Sequence, residues 1–129
     1  MKLVTFEEFC ALPDGTIYQQ WQPHFLGELA IRGDVLRTNG KPCDFLTADL
    51  TAAPLDGSSI GHKDKELVFC MPSMFGRWAL YDDKIRYLVY ESADLQRLAG
   101  WLLNPQKALD DMNGDDMIRA EVPLDVWPG

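Results

Sequence analysis

The sequence has little of several features that would assign it to a function class. Its apolar runs, such as residues 67–71, are far shorter than the roughly 18 residues of a membrane-spanning helix. The N-terminus turns acidic at Glu7 and Glu8 without the apolar core of a secretory signal. Bases are scarce, with 12 Lys and Arg against 20 Asp and Glu and a formal net charge of −8. We therefore expect a cytoplasmic protein that contacts neither membranes nor nucleic acid directly.

Catalytic and cofactor motifs are also missing. The histidines, His24 and His62, have no metal-ligand spacing to each other or to a cysteine, and no glycine-rich phosphate loop occurs. Cys10, Cys43 and Cys70 are odd in number and widely spaced, which is typical of reduced thiols in a cytosol-like compartment. The sequence thus predicts no cofactor and no bound metal, and an enzyme is the function class it supports least.

The composition is that of an ordinary globular domain. The chain has 129 residues, of which 47% are hydrophobic and 25% are charged, close to the averages for folded domains. A chain of this length buries enough surface to fold without disulfides or metal. We expect one globular domain over residues 1–129.

Local signals predict helices at both ends of the chain. Thr5 and Glu8 form a capping-box pattern at the start of a short helix. Ser92 is the expected N-cap of a longer helix, which Asn104 and Pro105 end while starting another. These patterns predict a short N-terminal helix and a C-terminal helical pair.

Strand signals fill most of the remaining sequence. Residues 16–22 and 27–38 are predicted strands, the second with a bulge at Gly33. Asn39-Gly40 predicts a tight hairpin, and Pro42 predicts that the returning strand starts late, near Asp44. We also expect a long loop over residues 51–65 and a last strand over residues 117–122. Together these signals predict an α+β fold, a mainly antiparallel sheet on which the helices pack.

The densest chemical feature is an acidic cluster in residues 110–116. Read as a calcium loop from Asp111, it lacks the required glycine at position 6 and glutamate at position 12, so a metal site is not predicted. Residues 110–125 hold six acids and one base, Arg119, a net −5. Such charge can steer binding to a host protein with a basic, nucleic-acid-binding surface. The predicted contact residues, the acidic cluster, are Asp110, Asp111, Asp115 and Asp116.

An alternative prediction is the binding or sequestration of a nucleotide-like small molecule. Aromatic side chains would stack on a base and cations would pair with phosphate. The predicted stacking residues are Trp21, Trp78 and Tyr81, and the predicted cations are Arg77, Arg32 and Lys63.

Residues 71–76 form an unusual apolar turn, with two Met and one Phe around Pro72 and Gly76. A solvated loop rarely has this composition. Two interpretations stay open, a buried β-arch and an exposed contact loop.

Parts of the sequence resemble small bacteriophage and prophage proteins. The resemblance rests on residues 5–9 and 12–18, continuing to residues 29–34, and on residues 87–91 followed by Asp94 and Leu95. The two stretches that contain them, residues 5–34 and 87–95, span about a third of the chain. It implies a mobile-element accessory protein and carries over no catalytic residue. Small acidic phage proteins often inhibit host defence systems by imitating DNA charge or by occupying a protein surface. The leading hypothesis is therefore a non-enzymatic protein that binds a host protein, with an inhibitor of a nucleic-acid-targeting defence system as its most specific form. The oligomeric state is left open.

Overall fold

The chain forms an antiparallel sheet with three helices in a computed structural model that describes residues 1–54, 67–80, 82 and 84–122. The strands are β1 (Lys2–Val4), β2 (Ile17–Gln22), β3 (Phe25–Leu26), β4 (Ala30–Thr38), β5 (Lys41–Asp49), β6 (Ala53–Pro54), β7 (Phe69–Cys70), β8 (Ser73–Arg77) and β9 (Arg86–Tyr90). The helices are α1 (Phe6–Cys10), α2 (Ser92–Leu103) and α3 (Pro105–Asn113). The predicted α+β class with a mainly antiparallel sheet is confirmed.

The main sheet has the strand order β1-β9-β2-β4-β5-β8, and β3 pairs with β2 beside β4. All of these pairings are antiparallel. A second, two-stranded sheet joins β6 and β7. Within the described ranges, β1 and β8 are therefore the edges of the main sheet, and β8 is the edge next to the small sheet.

The predicted capping box of α1 is confirmed. The Glu8 amide donates to Thr5 Oγ1 at 3.3 Å, and the Thr5 amide donates to Glu8 Oε1 at 3.0 Å. Two free N–H groups at the helix start are thereby satisfied. The cap fixes the helix so that Phe9 and Cys10 are buried against the sheet.

The hairpin between β4 and β5 follows its sequence signal. Asn39 and Gly40 have φ angles of 52° and 78°, as both central residues of a type I′ turn require. The predicted bulge at Gly33 is also present, because residues 33 and 34 lie opposite Leu46 alone. A Cβ on Gly33 would lie 3.4 Å from the Leu46 Cβ, so the small residue eases the close approach.

The prediction that Pro42 delays β5 is wrong. The strand begins at Lys41, and Pro42 is the register partner of Arg37. Pairing of β5 with β8 begins only at Leu46. The first part of β5 therefore has a strand on one side only in the described structure, and an edge position tolerates a residue without an N–H group.

Aromatic rings fill the core on the face of the sheet that α1 covers. Phe9 stacks on Tyr87 with 4.3 Å between ring centroids, and Phe45 stacks on Trp78 at 4.9 Å. Tyr18 meets Phe9 edge-on at 4.7 Å. These geometries are favourable for aromatic pairs, and the rings join α1 to β2, β5 and β9.

The C-terminal half departs from two predictions. The N-cap of α2 is Glu91 rather than Ser92, and its amide donates to Asp94 Oδ2 at 2.8 Å. The same Asp94 oxygen accepts from the terminal ammonium of Met1 at 2.6 Å, which ties α2 to β1. The predicted strand over residues 117–122 is wrong, because these residues belong to no strand. The last described residues instead line cavities on the sheet face opposite the core.

The predicted loop over residues 51–65 is only partly described. β6 occupies Ala53–Pro54 within it, and residues 55–65, which include His62 and Lys63, lie outside the described residues. In the part of the chain that the structure covers, no helix has the length and apolar character to cross a membrane.

Candidate functional site

Residues 67–80, which we call the apolar edge segment, place many large apolar side chains in solvent. They contain β7 and β8, and β8 is the last strand in the order of the main sheet. The charged side chain in this segment is that of Arg77. Seven apolar side chains are between 39% and 73% exposed: Leu67, Val68, Phe69, Met71, Met74, Phe75 and Leu80.

A bulge in β8 explains the two most exposed of these side chains. Gly76 pairs with Thr47 and Ser73 pairs with Asp49, so Met74 and Phe75 together lie opposite the single residue between those partners. Consecutive side chains of a regular strand point to opposite faces, and a bulge breaks this alternation. Met74 also has a positive φ of 55°. As a result, Met74 and Phe75 are both 73% exposed.

The bulge is held at both ends by buried polar groups. Before it, buried Ser73 donates from its hydroxyl to the Thr51 carbonyl at 2.6 Å. After it, Asp44 accepts from Arg77 Nε at 2.8 Å and from the Ala79 amide at 2.9 Å. Met74 and Phe75 are thus presented from fixed backbone, which lowers the entropy lost when they bind.

Asp44 is 3% exposed, and its environment favours the charged carboxylate. Burial by itself raises the pKa of Asp44, but hydrogen bonds from the Ala79 and Phe45 amides and from Arg77 outweigh burial and lower the pKa. Asp44 is therefore ionised at neutral pH. It neutralises Arg77, the charged side chain of the apolar edge segment.

The acidic cluster is built differently, because one of its carboxylates is buried. Asp111 is 7% exposed and accepts from Trp101 Nε1 at 2.8 Å and from Lys107 Nζ at 2.6 Å. Arg97 Nη2 lies 3.4 Å from it, and the Arg97 guanidinium lies over the Trp101 ring. The bonds from Lys107 and Trp101 lower the pKa of Asp111. This group joins α2 to α3, so Asp111 is not available as part of an exposed acidic surface.

The other three carboxylates of the acidic cluster are exposed and have partners within the chain. Arg97 Nη1 lies 3.4 Å from Asp116 Oδ1, and Arg119 donates to Asp115 at 2.5 Å. Asp110 accepts from Gln106 at 3.0 Å. The cluster therefore presents much less uncompensated charge than its sequence indicates.

Those of the predicted nucleotide-binding residues that the structure describes do not form one site. Trp78 is buried, and its Nε1 donates to Gln20 at 2.8 Å on the core face. Trp21, the next residue after Gln20 in β2, points to the opposite face. There it lines a cavity of about 540 Å³ with Leu3 and Leu88.

Arg32 and Arg77, the predicted cations that the structure describes, both have partners within the chain. Arg32 is fully buried, and its Nη2 donates to the Leu12 carbonyl at 2.7 Å and to Asp14 at 3.2 Å. It therefore holds the end of α1 to the sheet and cannot reach a phosphate in solvent. Arg77 is paired with Asp44, and Tyr81 and Lys63 lie outside the described residues.

Two further observations bear on chemistry. Among the side chains that the structure describes, no three His, Cys, Asp or Glu residues are grouped so that they could hold a metal ion. A scan against protein-family models and searches of curated proteins and of solved structures gave no match. The resemblance to phage proteins stays a prediction.

Only part of the apolar edge segment could be predicted from the sequence. The unusual composition of residues 71–76 was visible, and the structure supports the exposed interpretation of that turn, with Met71, Met74 and Phe75 in solvent. Phe69 and Leu80 gave no signal, because apolar residues near a strand are normally assigned to the core.

Proposed function

We propose that this protein is a non-catalytic protein-binding module that contacts its partner through the apolar edge segment. The observation that carries the proposal is the bulge in β8, which leaves the consecutive residues Met74 and Phe75 both 73% exposed. Large apolar side chains that insert into a partner's pocket are common hot spots of protein interfaces. Bulges that re-aim side chains are common next to functional sites.

The same bulge favours binding through side chains over addition of a strand. A flat edge strand offers a continuous row of backbone groups to an incoming strand. In β8 the register shift and the positive φ of Met74 interrupt that row. The partner should therefore offer an apolar pocket or groove that receives Met74 and Phe75.

The resemblance to phage and prophage proteins makes a host protein the proposed partner class. Of the two ways in which small acidic phage proteins inhibit, occupation of a protein surface is better supported than imitation of DNA charge. Asp111 is buried, and Asp115 and Asp116 are paired with arginines. A host component that recognises nucleic acid is the most specific candidate, blocked by contact with its apolar surface.

The test compares three variants for capture of host proteins. Proteins retained from host-cell lysate by the immobilised chain are identified by mass spectrometry, purified and titrated in a calorimeter. Met74→Asp/Phe75→Asp should abolish binding. Leu102→Glu/Leu103→Glu adds the same charge at apolar residues of α2 that are 72% and 88% exposed, and should bind normally.

The third variant separates the two candidate surfaces. Asp110→Asn/Asp115→Asn/Asp116→Asn removes the exposed charges of the acidic cluster and leaves Asp111 in place. It should bind the same partner as the natural chain. Loss of binding in this variant, with binding retained by Met74→Asp/Phe75→Asp, would assign the contact to the acidic cluster and refute the proposal.

A further inference from the structure

The apolar edge segment is a nearly neutral region of a strongly acidic protein. The chain has a formal charge of −8, so two copies repel each other as they approach. Residues 67–80 contain no acid, and their one base, Arg77, is paired with Asp44 at 2.8 Å. A neutral surface adds no local repulsion of its own when it meets a second copy. This segment is therefore well suited to contact between two identical chains.

The exposed apolar side chains of the segment supply a substantial part of the area that a dimer buries. At roughly 150–250 Å² for a whole aromatic side chain, Phe69 and Phe75, which are 61% and 73% exposed, leave about 200–330 Å² of ring surface in solvent. Five further exposed apolar side chains of the segment add to this. Each partner of a standard interface buries roughly 800 Å², so the two phenylalanine rings alone would supply about a quarter to two fifths of that area.

We propose that two copies of this chain associate through the apolar edge segment as a symmetric dimer when no other protein covers it. In such an interface the same surface serves both copies. Met74 and Phe75 of one copy pack against apolar side chains of the same segment in the other. The inference rests on the proposed function, in which this segment is a protein-contact surface, and it names a second copy as one occupant. A host partner would compete with the second copy.

The experiment is sedimentation velocity of the full chain from low to high micromolar concentration. The natural chain should shift from the 14.6 kDa monomer to twice that mass. Met74→Asp/Phe75→Asp should raise the dissociation constant by about a hundredfold or more, since each side chain is a candidate hot spot. Aspartate suits the positive φ of position 74 better than most residues. Leu102→Glu/Leu103→Glu should dimerise as the natural chain does.

Two additional measurements test whether the loss of dimer comes from lost apolar packing rather than from the added charge. Met74→Ser/Phe75→Ser removes the apolar surface without adding charge and should also be monomeric, which separates lost packing from added repulsion. Added salt should strengthen the dimer of the natural chain, because it screens the repulsion between two chains of charge −8. Unchanged circular dichroism and thermal midpoints would show that both variants fold.

The inference is overturned if the natural chain stays monomeric at high micromolar concentration. It is also overturned if the dimer survives both double substitutions, or if added salt dissociates it. A monomer that still binds a host protein through Met74 and Phe75 would remove this inference and leave the proposed function. A dimer that binds no host protein would remove the proposed host partner and leave this inference.

Discussion

The apolar edge segment and the acidic cluster differ in whether their side chains have contacts within the protein. Met74 and Phe75 are 73% exposed and contribute little to the core. In the acidic cluster, Asp111 accepts hydrogen bonds from Lys107 and Trp101, and its neighbours are paired as well. The sequence indicates the acidic cluster as the contact surface because its excess of acidic residues can be read directly from the residue types. The structure points instead to the segment, because seven of its large apolar side chains lie in solvent.

This difference has an energetic consequence. Exposed ion pairs such as Asp115 with Arg119 contribute little, because water and salt screen them. Apolar surface contributes roughly 25 cal/mol for each Å² that is removed from water. A partner therefore gains more free energy by covering the apolar edge segment than by competing for paired carboxylates. Substitutions should separate the two regions into one that governs binding and one that governs folding.

The largest expected effect is on binding by Met74→Asp/Phe75→Asp. Affinity for the protein partner should fall by about a hundredfold or more, because two hot-spot side chains are lost at once. The thermal midpoint should stay within about 2 °C of that of the natural chain, since exposed positions contribute little to stability. Calorimetric titration and thermal unfolding measure the two quantities. A large drop in the midpoint would instead place the segment in the folding core.

The next largest effect is on stability by Asp111→Asn. The amide keeps the shape of the carboxylate but not the charge that pairs with Lys107 and Arg97, so the midpoint should fall by about 3–6 °C. Asp110→Asn is the matched control one residue away, where the carboxylate is exposed and accepts from Gln106. It should change the midpoint by less than about 1 °C. Equal effects of the two substitutions would contradict the buried role of Asp111.

The pH dependence of stability should have the same origin. The pKa of Asp111 in the folded chain lies below the ordinary value of 3.8, because Lys107 and Trp101 donate to the carboxylate. A lowered folded pKa stabilises the fold above the unfolded pKa, and this stability is lost as pH falls through the folded pKa. Denaturant midpoints of the natural chain and Asp111→Asn should thus differ at neutral pH and converge below pH 3.8. A constant difference would exclude this linkage.

Features set by local sequence were predictable. The capping box of Thr5 and Glu8, the turn at Asn39 and Gly40 and the bulge at Gly33 depend on a few neighbouring residues and are present. Sequence alone could not predict β1, whose three residues gain strand structure only by pairing with residues 87–89, more than about 80 residues further along the chain. Long-range pairing overrides weak local preference.

The candidate site was less predictable for the same reason. The bulge of β8 is defined by its register against β5, a strand distant in sequence. Met74 also adopts a positive φ, which cannot be predicted from a methionine. The ion pair between Lys107 and Asp111 was predictable, since Lys107 lies four residues earlier on the same helix face. The burial of Asp111 was not. The contribution of Arg97 and Trp101 required the packing of α2 against α3.

The smallest expected effect on binding comes from neutralising the exposed carboxylates of the acidic cluster, which the sequence predicted to be the contact residues. Asp110→Asn/Asp115→Asn/Asp116→Asn should change the affinity for the protein partner by less than about threefold, because these carboxylates lie outside the proposed contact and those of Asp115 and Asp116 are already paired within the chain. The association rate measured by stopped flow should depend on salt to nearly the same extent in this variant and in the natural chain. If the variant instead abolishes the salt dependence, the acidic cluster faces a basic surface of the partner. The apolar edge segment would then provide the affinity, and the acidic cluster would raise the association rate. The two regions would be parts of one interface with different effects on binding.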